Sequence, residues 1–537
     1  MTEKTAILGA ETGRLSYLWL GVAMLLTWFT TPEWTVPLAA WLTPLFLLRF
    51  TRSLGPLRGF FIAWAVSLAV VLVALRGVYP QGGAEYVVTM VVGALLGTLP
   101  FLVDRLVSPR LGAFASTLVL PVAATALDFL GSFASNVGAF ASAANTQVGN
   151  LPLMQIVSVA GIWPVTFLLF WLAPVANLVW ERGLGELGTR RSAAVYAAVL
   201  ATVLLLGGAR LLSAPSSDTV RTASIALDTL AIGEAAYAAE HGRRIELGET
   251  VDQSAPEVRE AVAALNAFYE DPDAPRYAPV REEIEAINDR LFALSEREAR
   301  AGARIVAWAE ANATVLGEDE DAFVERGRRL AREENVYLFM SMWVRSPGDP
   351  RPENKVVAVT PEGEVAFTYL KNRLAPGETA VAGDGRIPTI ETPYGKLTTT
   401  ICWDLDFPAL VRQAGREGVD VMVSPSADWE DITPWHARVA AVRGIENGFS
   451  LVRPVRNGQL LATDWQGNVS GQLSYFDAAE DPVLVADVPT RGATTLYPRL
   501  GDAFAWGCVA GTLIVAAVAL AKRVRTGRND DGEILKG

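Results

Sequence analysis

Cysteine and histidine are scarce in this chain of 537 residues, two of each. Cys402 and Cys508 stand far apart and offer no disulfide framework. With His241 and His436 they form no ligand spacing, so no metal site is expected. No glycine-rich phosphate loop occurs, and no cofactor is expected. Positive charge is short as well: 46 Lys and Arg against 58 Asp and Glu give a net charge of −12. No basic patch is interleaved with aromatics, which sets nucleic-acid binding aside. The polar part has no internal repeat and no low-complexity linker.

Apolar residues are what the chain has in excess, at 51% against 19% charged. They crowd residues 16–212 and return at about 503–521, on either side of a charged stretch. Runs of around 20 apolar residues can cross a bilayer as helices. Spans are predicted near 16–31, 37–48, 59–75, 85–103, 111–130, 153–178 and 193–212, with a last at 503–521. The first has no small-residue cleavage site and reads as a membrane helix, not a removed signal peptide. This divides the chain into a membrane part at 1–214, a globular domain at 215–495 and a last span with a basic tail at 496–537.

Loop charges give the orientation. Arg49, Arg52 and Arg58 follow the second span, and Arg105 and Arg110 follow the fourth beside Asp104. Arg182, Arg190 and Arg191 follow the sixth, and Lys522, Arg523, Arg525 and Arg528 open the tail. With eight spans these four segments share one side, which the positive-inside rule makes cytoplasmic. The domain between spans seven and eight then lies outside the cytoplasm.

In that domain short β-branched runs alternate with amphipathic stretches, the pattern of an α/β fold. Strands are expected over 223–228, 304–308, 336–344, 355–360, 365–370, 396–401, 419–424, 450–455, 459–463 and 483–488. Helices are expected near 281–302, 321–334, 407–417 and 434–447, and 240–280 reads as a partly helical excursion over the surface. Three polar residues end three strands: Glu310 after R-I-V-A-W-A, Lys371 after V-A-F-T-Y-L and Cys402 after K-L-T-T-T-I. Alone, each has a bland reading as a helix cap, a solvated cation or a core thiol. Together, at strand ends that can converge on one sheet edge, they make a candidate site.

The order Glu, Lys, Cys in these surroundings resembles the nitrilase (carbon–nitrogen hydrolase) superfamily. The resemblance rests on A-W-A-E ending at Glu310, Y-L-K-N-R-L-A-P-G-E at 369–378, I-C-W-D-L-D-F-P from Ile401 and P-W-H-A-R-V-A-A-V-R-G-I-E-N-G at 434–448. With seven leading spans and one trailing, the chain resembles the apolipoprotein N-acyltransferase family over nearly its whole length. N-T-Q-V-G-N-L-P-L at 145–153 is similar to that family's outer-face loop. The resemblance implies an α-β-β-α sandwich and a Glu310–Lys371–Cys402 triad, with Glu378, Trp403 and Asp404 in support. Glu310 would take the Cys402 proton, and Lys371 would stabilise the thiolate and the oxyanion. The implied reaction moves an acyl chain from a phospholipid through a Cys402 thioester to the amino group of a lipoprotein's N-terminal cysteine, in a bacterial cytoplasmic membrane. The uncharged loop 131–152 and Asp128 are candidates for lining the lipid entrance.

The chain departs from the family at several points. Arg373 stands where the family has histidine, and A-P-G-E at 375–378 shortens the segment after the lysine by one residue. Tyr237 is the nearest aromatic to an expected tryptophan. About two dozen residues separate Glu378 from Cys402, where the family inserts a long apolar loop. Two other readings therefore stay open, a membrane-tethered amidase and a silent binding protein. A rival nucleophile scheme pairs Cys402 with His436.

Overall fold

The computed structural model describes residues 14–79, 82–213, 217–247, 255–346, 348, 351–478 and 481–534, with side chains up to 518. They form two compact units, one of the residues up to 79, 83–213 and 500 onward, the other of 217–499.

The first unit is helical. Pro56–Ala74, Gly83–Arg110, Ala113–Ala134, Trp163–Arg182 and Leu187–Leu212 are long and apolar enough to cross a membrane. Arg14–Trp28 and Pro37–Ser53 are shorter, and in the last helix, Ala503–Ile534, the apolar run precedes the basic residues that begin at Lys522. The span expected at 153–178 is not one helix. Gly161 takes φ +71° and Pro164 opens the next helix at Trp163, so the chain breaks there into Leu151–Met154, Val157–Ala160 and Trp163–Arg182. Asp128 accepts hydrogen bonds from Ser142 and Thr166, both at 2.7 Å, and so ties the loop after its helix to the helix at 163–182. Arg52 and the buried Asp104 make a two-point ion pair at 2.9 and 3.0 Å. The basic residues at 522–528 continue the last helix, with side chains outside the described residues.

The second unit is an α-β-β-α sandwich. One sheet runs Val483–Pro489, Thr219–Ile225, Ile305–Trp308, Tyr337–Arg345, Glu353–Val359, Val365–Leu370, with Ala313–Leu316 also on Tyr337–Arg345. The other runs Val469–Ser474, Gln459–Thr463, Ser450–Arg453, Val421–Val423, Gly395–Thr399, Thr389–Thr392. Alternation along each strand decides which layer a side chain joins. Ile305, Ala307, Tyr337, Phe339, Val356 and Ala358 meet Leu397, Val421, Val423 and Val452 between the sheets. Their neighbours Val306, Trp308, Leu338 and Met340 turn outward onto Leu291, Phe292 and Ala331 of the helices Ala278–Arg300 and Glu320–Glu334. Met422 and Leu451 turn onto Val411, Ala414 and Ala440 of Pro408–Arg416 and Trp435–Asn447. The central strands pair in parallel and are buried on both faces, which is why they read as continuous apolar runs.

The 240–280 segment is more than a surface excursion. Pro256–Glu270 packs on Leu230–His241, and Phe268, Tyr269 and Tyr277 close a core with Ile232, Ala236 and Val280. Three aromatics in a polar stretch are enough to seat it, because each carries a large apolar area. Tyr237 belongs to this packing, stacked on His241. Residues 248–254 lie outside the described residues.

Candidate active site

The ends of three strands bring Glu310, Lys371 and Cys402 together. Lys371 directly follows the strand Val365–Leu370, and its backbone N–H donates to Asn354 O at 2.9 Å. Its Nζ donates to Glu310 Oε1 at 2.7 Å and to Glu378 Oε2 at 2.6 Å. Asn354 Nδ2 donates to both carboxylates, at 2.7 Å to Glu310 Oε1 and 2.9 Å to Glu378 Oε1. Ala427 N–H holds the other Glu310 oxygen at 2.8 Å, and Ala375 N–H holds Glu378 Oε2 at 2.9 Å. Two carboxylates and one ammonium give this buried cluster a net charge of −1.

Cys402 opens the short helical turn Cys402–Asp406 with φ +45°, an unusual conformation for a residue with a side chain. Its N–H donates to Pro425 O at 2.8 Å, and its thiol points at Ala427 O at 3.7 Å. Asp404 fastens the turn. Its carboxylate accepts from Ile401 N–H at 3.0 Å, Tyr369 Oη at 2.6 Å and Arg373 N–H at 2.7 Å. The cysteine turn is thereby bound to the segment that carries Lys371. Burial pushes the Asp404 carboxyl up to about 6 against these three donors. Trp403 is buried against the rings of Trp429 and His436.

The protonation pattern follows from the charges. Burial pushes the Cys402 thiol up, Glu310 pushes it further, and Lys371 only partly offsets them. For Glu310 burial acts upward too, but the Lys371 charge and the hydrogen bonds from Lys371, Asn354 and Cys402 hold it below the ordinary range. Lys371 stays charged: its own burial acts against the ammonium, but the charges of Glu310 and Glu378 hold it above the ordinary lysine range. The resting state pairs a neutral thiol with an adjacent carboxylate.

His436 is close but fully engaged. Its Nδ1 lies 2.7 Å from Asp428 Oδ1 and its Nε2 2.9 Å from Asp406 Oδ2. With both nitrogens on carboxylates it has no free lone pair for the Cys402 proton, which removes the Cys–His scheme. The ligand spacing absent from the sequence does arise in three dimensions: ligand atoms of Cys402, Asp428 and His436 lie within 4.8 Å of one another. Arg453, however, donates two-pronged to Asp428 at 2.8 and 3.1 Å and stands 3.0 Å from His436 Nδ1. Two cationic side chains already balance the two carboxylates, so this donor set does not fit a metal cation. Sequence reasoning missed Asn354, Asp406, Asp428 and Arg453. For Asp406, Asp428 and Arg453 the signal available was a charged residue inside or at the end of an apolar run; the uncharged Asn354 had none.

Residues 274–497 match the model of the carbon–nitrogen hydrolase family. The second unit thus contains a domain matching the carbon–nitrogen hydrolase family, and the first holds, among the described residues, five helices long and apolar enough to cross a membrane. Along nearly its whole length the chain further resembles the apolipoprotein N-acyltransferases: it is 26% identical to that enzyme from Geobacter metallireducens, over 95% of this chain and 96% of the relative. A formamidase from Bacillus cereus is 36% identical over 112 residues, which are 20% of this chain and 32% of that protein. Among solved structures, an amidase from Nesterenkonia sp. is similar with 22% identity and a TM-score of 0.33, over 39% of this chain and 86% of that one.

Proposed function

We propose that this protein is a membrane N-acyltransferase that carries an acyl chain on Cys402, from a phospholipid to the α-amino group of a lipoprotein's diacylglyceryl-cysteine. The supporting observation is the buried cluster in which Glu310, Lys371 and Glu378 adjoin the neutral thiol. Likeness to an apolipoprotein N-acyltransferase over the whole length, membrane part included, supports the substrate class.

In the first half-reaction the Cys402 proton passes to Glu310 as Sγ attacks the ester carbonyl. The cluster's net charge stays at −1 during this transfer, whereas losing the proton to solvent would raise it to −2. That difference favours deprotonation only when the nucleophile is used. Lys371 Nζ, fixed between two carboxylates, stabilises the oxyanion. The C–O bond then breaks, and Glu310 returns the proton to the departing lysophospholipid oxygen. In the second half-reaction the amine attacks the thioester carbonyl and Glu310 accepts its proton; the C–S bond then breaks as Glu310 passes that proton to Sγ, which restores both the thiol and the carboxylate. Glu378 and Asn354 position Lys371 and Glu310, and Asp404 positions the cysteine turn.

The loop charges support a catalytic domain outside the cytoplasm. A cysteine placed at the exposed Arg243 should then react with a membrane-impermeant maleimide in intact cells, and labelling only after lysis would reverse the orientation.

The decisive experiment incubates the detergent-solubilised protein with a defined phospholipid and examines Cys402 by mass spectrometry, with Cys402→Ser as control. A thioester that persists until an amine is added is expected. Prompt release of free fatty acid without amine would favour the amidase reading, and no adduct would overturn acyl transfer.

A further inference from the structure

Behind Cys402 lies a second buried charge cluster that the proposed reaction does not use. His436, on the helix Trp435–Asn447, is fully buried between two carboxylates from different elements. Asp406 closes the Cys402–Asp406 turn, and Asp428 follows the short strand Ser426–Ala427. That strand reaches both reacting groups, since Ala427 N–H holds Glu310 Oε2 and Ala427 O faces the thiol. Its register is set from the far side: Ser426 and Ala427 pair with Val455 and Arg456, and Arg456 Nε donates to Glu310 O at 3.0 Å.

The charged groups facing the imidazole are Asp406, Asp428 and Arg453, with the Cys402 thiol beside them. Two carboxylates and one guanidinium leave a deficit of one positive charge in a buried site, and an imidazolium balances it. Each ring N–H then meets a carboxylate oxygen, Nδ1 on Asp428 and Nε2 on Asp406. The attraction of these carboxylates outweighs burial and raises the imidazole to about 9.

We infer that His436 is a positioning residue that works as a charged clasp. Its imidazolium joins the turn bearing Cys402 to the strand end bearing Ala427, and so sets the thiol against Glu310 while neutralising the carboxylates behind it. A neutral residue at 436 would leave an uncompensated negative charge beside the sulfur and loosen the link between turn and strand.

This rests on Cys402 being the nucleophile, but its test needs no lipid. Alkylation of Cys402 by iodoacetamide is followed against pH by peptide mass spectrometry in the full-length protein, H436Q and D406N/H436Q. H436Q should move the alkylation midpoint upward by about one pH unit or more, the size of one unpaired charge a few ångströms away. It should also slow acyl-adduct formation roughly tenfold to a hundredfold. D406N/H436Q restores the charge balance and should bring the midpoint back toward the native value. Native-like alkylation in H436Q, or a double variant no better than the single, overturns the clasp. If H436Q alone fails to fold, a folded double variant supports the charge argument. If both fail, His436 is a packing residue and the inference falls. Should the native protein form no acyl adduct while H436Q still shifts alkylation, acyl transfer falls and the clasp stands.

Discussion

Replacing Glu310 by glutamine should separate the acidity of Cys402 from its usefulness. Glu310, Glu378 and Lys371 sum to −1, so a thiolate formed beside them without proton transfer would sit next to an uncompensated carboxylate. The E310Q change leaves Lys371 and Glu378 as a neutral pair at 2.6 Å, and the thiolate then becomes easier to form. Alkylation of Cys402 should accelerate at pH 7 to 8, with a lower midpoint than the native protein. Acyl transfer should move the other way. Loss of the proton acceptor costs about 10²–10⁴ in rate, or about 3–5 kcal/mol of barrier at 1.36 kcal/mol per tenfold. Folding should suffer less than the roughly 3–5 kcal/mol expected when a buried ion loses its only partner, because Glu378 still holds Lys371. The assay pairs pH-dependent alkylation with single-turnover adduct formation from a defined phospholipid. A higher alkylation midpoint in E310Q, or undiminished adduct formation, would refute the assignment of Glu310 as the proton acceptor.

Other outcomes follow from the same geometry. Asn354→Ala removes the donor shared by Glu310 and Glu378 and should slow adduct formation about tenfold, the loss of roughly 1.4 kcal/mol of positioning, with the alkylation midpoint displaced as the carboxylates separate. Stability should depend on pH through His436: its folded value of about 9 against an ordinary 6.5 represents roughly 3 kcal/mol. Because the folded value is the higher one, this contribution is fully present below pH 6.5 and is lost as pH rises through 9. Denaturant midpoints between pH 6 and 10 should fall across that window and be flatter in H436Q. Gly448→Ala places a β-carbon on the Ala493 carbonyl oxygen at a residue with φ +83°. It should destabilise the domain by about 2–4 kcal/mol, and an unchanged melting temperature would show that the loop at 493 yields freely.

The parts of the sandwich that could be read in the sequence are those buried twice over. Ile305–Trp308, Tyr337–Arg345 and Val421–Val423 are apolar on both faces, and such runs need no knowledge of their neighbours. Thr389–Thr392 and Val469–Ser474 are edge strands with mixed polar residues, and their pairing is decided by partners elsewhere in the sheet. The helix Pro256–Glu270 was obscured for a related reason, since its aromatics find their core only against Leu230–His241. The same division holds in the site. Glu310, Lys371, Glu378 and Cys402 stand beside short runs that mark them. Asn354 opens an ordinary strand, and Asp406, Asp428 and Arg453 acquire their meaning from His436 across gaps of 8 to 30 residues. The break at Gly161 was hidden because the residues around it remain apolar.

The raised pKa of Cys402 also bears on how this sulfur survives. Oxidation to a sulfenic acid proceeds through the thiolate and needs access to the oxidant. Cys402 is 3% exposed and rests protonated, with no second described cysteine in its domain to trap it as a disulfide. Under the proposed orientation it faces an oxidising compartment throughout the life of the protein. A thiol that ionises only into the hand of Glu310 can remain reduced there between turnovers, without a reductant to repair it.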